Sequence, residues 1–453
     1  MAERNHHFSH VLLDDGWARD VRITCVDGLC VALEKAAAPV GGDARHAIAI
    51  PGMPNLHSHA FQRGMAGMAE KRGPSHDSFW TWREVMYRFV DRLDADAFEA
   101  IAALAYVEMI ETGFTRVGEF HYLHHDPDGR PFADPARMAQ ALVNAALDTG
   151  IGLTMLPVFY AHAGFGGLAP GAGQRRFVCG IDQFARLVDA ARCALKILPD
   201  GVIGVAPHSL RAVTPDELGA LLAMVPAGPV HIHIAEQRRE VDECLAWSGA
   251  RPVEWLLGNT PVDRRWCLVH ATHMTDVEAR DMARSGAVAG LCPITEANLG
   301  DGVFNAAPYL AEAGRYGIGS DSNVLIDPAE ELRLLEYGQR LRHHGRNLLS
   351  IGEGASTGAA IFNGALAGGG QALGVAAGIA VGRPLDFVAL DADHPSLFGR
   401  AGDALLDGWI FAAGRGAIDS VWRRGDKLVS NGRHRSRQGI EERYRKVVAR
   451  LMT

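Results

Sequence analysis

Two histidines one residue apart, His57 and His59, stand at the end of the short apolar segment Met53-Pro54-Asn55-Leu56. Strand side chains alternate faces, so both imidazoles point the same way if this segment is a strand. Two imidazoles side by side suit a zinc-type cation. Among 20 histidines such a pair also arises by chance, and alone it decides nothing. The same kind of ending then recurs. His231-Ile232-His233-Ile234-Ala235-Glu236 closes another apolar run with a histidine and, three residues on, a carboxylate. Leu268-Val269-His270 and Gly319-Ser320-Asp321 close two more. Singly, each reads as readily as a surface group or a hydrogen-bonded core residue. Independent accident explains the full set poorly. Three neutral imidazoles and a carboxylate around a divalent cation leave one position for water, whose pKa falls toward about 7 on zinc. Glu236 could pass a proton to a departing nitrogen, and His270 and Asp321 are the candidates to orient the water and take its proton. His231 shares a face with His233 but one layer deeper, which predicts a core or supporting position.

The elements that must bring these residues together are short apolar runs alternating with helical patterns, the mark of βα units. Eight candidate strands cover 47–56, 115–122, 152–160, 202–207, 230–235, 266–271, 288–293 and 317–321. That count predicts an α/β fold built on a (β/α)8 TIM-type barrel, whose strand C-termini share one mouth. Strands predicted at 11–13, 21–26, 29–33 and 47–50 precede it, and others at 386–390, 408–412, 418–422 and 427–429 follow, with a terminal helix over 439–452. Both ends together predict a small β-sandwich domain, giving boundaries at 1–50, 51–381 and 382–453. The uncharged stretch 356–382 is too rich in glycine for a membrane span and reads as buried or loop structure.

Net charge is −8, with Lys and Arg dispersed, which argues against nucleic acid or a membrane surface as partner. An anionic small molecule is still compatible, since a few arginines in a cleft set a local field. Seven scattered cysteines without a C-x-x-C pair suit a reducing compartment, and the first residues lack the order of a signal peptide. The expected location is cytoplasmic.

The chain resembles the amidohydrolase superfamily over almost its whole length, from PGMPNLHSHA through the barrel to DFVALD. Two-metal members carry an acid or lysine at the fourth strand end. Here that strand ends Val205-Ala206-Pro207-His208, which predicts one divalent metal ion, zinc. Within the mononuclear deaminases, HSHAFQRG, TWRE, GEFHYLHH, APHSLRAV, HIHIAEQ, LVHATH and CPITEANLGDG are similar to the N-formimino-L-glutamate deiminases of histidine degradation. That resemblance implies hydrolysis of N-formimino-L-glutamate to N-formyl-L-glutamate and ammonia, by attack of metal-bound hydroxide on the formimino carbon. It implies His57, His59, His233 and Asp321 as metal ligands and Glu236 and His270 as the proton-handling pair. Gln62, Arg83, Tyr122, His208 and Arg211 would line the substrate pocket, and the protein would be a homodimer. An arginine fork is the natural partner of each substrate carboxylate. Arg83, in Trp80-Thr81-Trp82-Arg83-Glu84, reads equally as part of a helix-start ion pair, and Tyr122 as a packed aromatic. Glu296 and Asn298, beyond the seventh strand, are expected to shape loops without a catalytic role. Two rival functions are a nucleobase or other heterocycle deaminase of the same superfamily and a catalytically dead scaffold.

Overall fold

The computed structural model of the protein describes residues 3–73 and 77–452. Helical crossovers return the chain in one direction, so successive strands pair parallel. Met53–Ser58, Phe114–His121, Gly152–Phe159 and Val202–Ile203 form one arc. Val230–Ile234, Trp266–His270, Val288–Leu291 and Arg315–Ile318 form another. Parallel bridges from Val205 to Val230 and from Ser58 to Asp321 join the arcs at both seams and close the barrel. Strands such as Phe114–His121 and Trp266–His270 are buried along their whole length, as expected with helices outside and packed side chains inside.

The predicted strand at 47–56 is two strands in two sheets. Ala44–Pro51 pairs with Glu3–Leu13 and Phe387–Leu390, whereas Met53–Ser58 begins the barrel. The switch falls at Gly52, where a Cβ would lie 2.3 Å from the Thr115 side chain, so only glycine lets the chain cross there. The second sheet has eight strands drawn from both chain ends, and its own core includes Phe8, Val21, Ile23, Ala49 and Phe387. The segment expected as a strand at 408–412 is helical instead: the helix Ala404–Gly408 runs on into a π-helical turn, Trp409–Ala413. A short apolar run fits a buried helix as well as a strand, and burial of Trp409 and Ile410 satisfies either. The glycine-rich stretch folds as the buried helix Thr357–Ala372, laid against Met53–Ser58 and Arg315–Ile318. Its glycines permit that approach; a Cβ on Gly368 would stand 1.9 Å from the Tyr316 carbonyl oxygen. Among the described residues, no helix is long and apolar enough to cross a membrane.

A buried ion cluster ties the barrel base to the second sheet. Asp200 accepts hydrogen bonds from Arg116 (2.7 Å) and Arg423, while Arg423 also donates to the carbonyls of Thr115 and Gly150, each at 3.1 Å. Replacing Asp200 by alanine strands two buried guanidinium groups. We expect a loss of about 3 kcal/mol in unfolding free energy, read from the denaturant midpoint, because breaking a buried pair costs more than the pair contributes.

Candidate active site

The barrel mouth gathers its polar side chains through the strand ends. His57 lies in the first strand, His59 just past it, His233 in the fifth, His270 ends the sixth, and Asp321 follows the eighth. Regular strand geometry breaks off there. Ala235, His270, Ala271, Asp321 and Asn323 all have positive φ, between 41° and 67°, a conformation costing roughly 1–3 kcal/mol at each such residue. Interlocked backbone bonds hold it: the Asp321 amide donates to the His57 carbonyl and the His59 amide to the Asp321 carbonyl, each at 2.9 Å. Asn323 donates to Ser58 Oγ and to the carbonyls of His59 and Asp321, each at 3.1 Å, while Asn55 and Ser320 exchange two bonds beneath them. None of these supporting residues was assigned from the sequence.

One ligand atom from each of His57, His59, His233 and Asp321 can be chosen so that all four lie within 4.8 Å of one another. Asp321 Oδ1 is 3.4 Å from His57 Nε2 and 3.3 Å from His59 Nε2, and His57 Nε2 and His233 Nε2 are 3.0 Å apart. The remote nitrogens of two rings are tied to carbonyls, His59 Nδ1 to Phe120 (3.0 Å) and His233 Nδ1 to His208 (3.1 Å). A carbonyl accepts only, so Nδ1 carries the proton and Nε2 turns its lone pair inward. Burial pushes His57 down to about 3 and His233 well below its ordinary value, which keeps both rings in the neutral form that binds a cation. Burial opposes the Asp321 charge, but the His57 hydrogen bond and the fields of His57, His59 and His270 outweigh it and hold the carboxyl low. Three neutral imidazoles and an ionised carboxylate, all buried and facing one point, fit a divalent metal ion. His231 lies deeper in the core, its Nε2 2.7 Å from the Ala372 carbonyl.

Beside this cluster a cavity of about 60 Å³ is lined by His59, Gln62, Arg83, Tyr122, His208, Arg211, His233, Glu236, His270 and Asp321. The structure therefore brings every sequence-predicted site residue to one place, with His57 directly beneath. Glu236 Oε1 lies 4.0 Å from His270 Nε2, which is 3.8 Å from Asp321 Oδ2. Burial raises Glu236 to about 7, whereas the carboxylates around His270, Glu236 foremost, raise that imidazole against its burial. Glu240 holds the loop carrying Glu236 by accepting from the amides of Ala235 (3.2 Å) and Glu236 (3.1 Å). Glu119 does the same behind His59, accepting from the Ala60 amide at 2.7 Å.

Several polar atoms in the cavity wall have no partner among the described residues. Gln62 Oε1, Arg83 Nε and Arg211 Nε are buried without a hydrogen bond there, while Gln62 Nε2 donates to the Tyr122 hydroxyl at 2.9 Å. Among the described residues Arg83 forms no ion pair with Glu84. Its guanidinium instead lies 4.6 Å from the ring centre of Trp80 and 5.6 Å from that of Tyr87. Trp80 also faces Arg211 (5.9 Å) and Arg239 (4.5 Å), so one indole gathers three cations over the mouth. Glu296, expected only to shape a loop, places Oε1 3.3 Å from His270 Nδ1, whereas Asn298 does bridge loops, donating to Glu70. A larger groove of about 720 Å³ between Arg63, Glu108, Arg433 and Glu441 holds none of the rim histidines. Its Arg63–Glu108 and Arg437–Glu111 charges are already paired, so we place the chemistry at the smaller cavity.

Residues 48–428 match the amidohydrolase family, and residues 7–47 match the N-terminal domain of formimidoylglutamate deiminase HutF. The chain is 50% identical to a formimidoylglutamate deiminase of Pseudomonas aeruginosa, covering 97% of this chain and 98% of that one. It is 26% identical to a 5-methylthioadenosine/S-adenosylhomocysteine deaminase of Shouchella clausii, over 84% and 81% of the two chains. Among solved structures, an amidohydrolase from Brucella melitensis superposes with a TM-score of 0.96 at 52% identity, covering 99% of this chain and 100% of that one. With a family match that spans the whole barrel and the strands Phe387–Leu390 and Ile418–Arg423 of the second sheet, the chain belongs to the amidohydrolase family.

Proposed function

We propose that this chain hydrolyses N-formimino-L-glutamate to N-formyl-L-glutamate and ammonia. One observation carries the reading: a three-histidine, one-aspartate donor set adjoins a cavity whose wall holds buried arginine nitrogens without a partner among the described residues. That pairing suits a substrate with a hydrolysable C=N group and carboxylates. The Pseudomonas aeruginosa relative supports it. The donor types favour zinc. A single ion is favoured because the second possible cluster, His270, Cys292 and Asp321, reuses Asp321 and relies on a thiol whose pKa burial raises well above its usual value.

When bound, the cation acidifies water and so supplies the nucleophile. Asp321 Oδ2 stands where it can take the proton that this water loses, and His270, kept charged by the carboxylates around it, can orient the water from Nε2. The water oxygen bonds to the formimino carbon, the C=N electron pair moves to nitrogen, and the carbon becomes tetrahedral. Glu236 gives that nitrogen one proton and the proton taken from the water gives it a second. As the C–N bond breaks, the hydroxyl on the tetrahedral carbon returns its proton to Glu236, ammonia leaves, and the carbon keeps the oxygen as the formyl group. Arg211 and Arg83 hold the carboxylates. Burial opposes the Arg211 charge, but Glu240, Tyr160, Glu236 and Glu243 outweigh it and keep the group cationic.

The test is steady-state turnover by metal-replete protein, with ammonia measured and the formyl product identified. Cytosine, guanine and adenosine run in parallel. Turnover of a nucleobase without turnover of the acyclic diacid would overturn the substrate assignment. Arg211→Lys should raise KM roughly tenfold, about 1.5 kcal/mol, because an ammonium cannot reproduce the planar two-point contact. An unchanged KM would remove Arg211 from the carboxylate site. The proposal includes a homodimer in the cytoplasm without nucleic-acid or membrane partners; light scattering on the eluted protein tests the dimer.

A further inference from the structure

We infer that Glu296 is a positioning residue: it fixes the ring plane of His270 and the proton on its Nδ1, so that Nε2 faces Asp321 and Glu236. This inference rests on the proposed deiminase reading for its kinetic part only. Glu296 belongs to the first turn of the helix Pro293–Leu299, and both it and His270 are buried. Its Oε1 accepts from the Cys292 amide at 2.9 Å, bending back onto the start of its own helix. That start is braced in turn by Glu331, which accepts from the Ile294 amide at 2.9 Å. The carboxylate is thus held in place without any help from His270. The converse is not true. His270 has a φ of 67°, beyond regular strand geometry, and among the described residues its ring has stacking partners but no other acceptor for Nδ1–H. The stack on the parallel ring of His233, 5.5 Å between centroids, tolerates a half-turn of the imidazole. The 3.3 Å contact from Nδ1 to Glu296 Oε1 is the hydrogen bond that distinguishes the two ring orientations. A carboxylate can only accept, so it requires the proton on Nδ1. Nε2 is then directed toward Asp321 Oδ2 at 3.8 Å and Glu236 Oε1 at 4.0 Å, the two groups between which the reaction must pass a proton.

The competing explanation is that Glu296 merely caps its helix. Two variants and one spectroscopic measurement on the full chain separate the readings. In E296Q the amide Oε1 still accepts both bonds, whereas E296A removes them. We expect E296A to lower kcat roughly 10–100-fold at unchanged KM and metal content, the usual scale for losing an orienting partner. E296Q should recover most of that loss. Histidine ¹⁵N spectra of the wild type, with His270 assigned by its absence in H270N, should show a proton on Nδ1. E296A should lose that signature. A cap alone would lower thermal stability in E296A and leave kcat and the His270 signal unchanged, which would overturn the inference. So would a wild-type His270 without a proton on Nδ1, a result independent of whether any variant folds. Wild-type protein inactive on formiminoglutamate would instead refute the deiminase reading, and the ¹⁵N result would still decide the part played by Glu296.

Discussion

Asp321→Asn is expected to lower kcat/KM by roughly 10³-fold or more and to reduce bound metal, because one side chain serves two purposes. Asp321 Oδ1 faces His57 and His59 as part of the donor set, while Oδ2 faces His270 at 3.8 Å. Asparagine has the same shape and leaves the backbone bonds to His57 and His59 intact, so the barrel seam survives. What disappears is the charge, and with it one good ligand oxygen and one proton acceptor. Far-ultraviolet dichroism should match the wild type, metal per protomer should fall on elemental analysis, and ammonia release should collapse. Turnover at the wild-type rate would show that Asp321 is not in the reaction. Lost turnover with full metal loading would confine its role to the proton.

The reason these residues could be read from the sequence is periodic. His57 and His59 share a face because strand side chains alternate, and His233, His270 and Asp321 are found because they stand at or just past the C-terminal ends of other strands. A (β/α)8 barrel then brings the ends of distant strands together, so counting repeats locates the mouth. The supporting residues obey no such rule. Asn323 reaches Ser58 across 265 positions in the chain, and Asn55 meets Ser320 at the same separation. Each acts by binding backbone or side-chain groups of another segment, so its own neighbours in sequence carry no trace of its partner. Glu296 illustrates the same limit. Its four-residue return to Cys292 is local and looks like a helix-start feature, whereas its contact with His270 spans 26 positions. Gly52 hid a different kind of information. The apolar run on either side is continuous, and only the crowding of Thr115 shows that the chain leaves one sheet for another. Local pattern likewise could not separate strand from helix at Trp409–Ala413, where a short apolar run is buried in either form.

Glu236→Gln should produce a different failure, and the contrast with Asp321 tests the division of labour. Glu236 lies outside the four-residue donor set, so the variant should retain its metal. Its carboxyl is buried, and burial lifts its pKa to about 7, which leaves an acid able to release a proton near neutral pH. Glutamine fills the same space and keeps the backbone bond from residue 236 to Glu240, so Arg211 and the cavity wall stay in place. An amide, however, cannot give up a proton to the departing nitrogen. Loss of a general acid is worth roughly 10²–10⁴-fold, and we expect about 10³-fold in kcat with KM little changed. The pH profile supplies an independent check with a definite sign. If Glu236 acts as the protonated form, wild-type kcat should fall as pH rises through about 7. The residual activity of Glu236→Gln should lack that limb, because the amide does not titrate. A variant that kept the limb would assign it to another group, and a variant with wild-type kcat would leave ammonia to depart without help from Glu236.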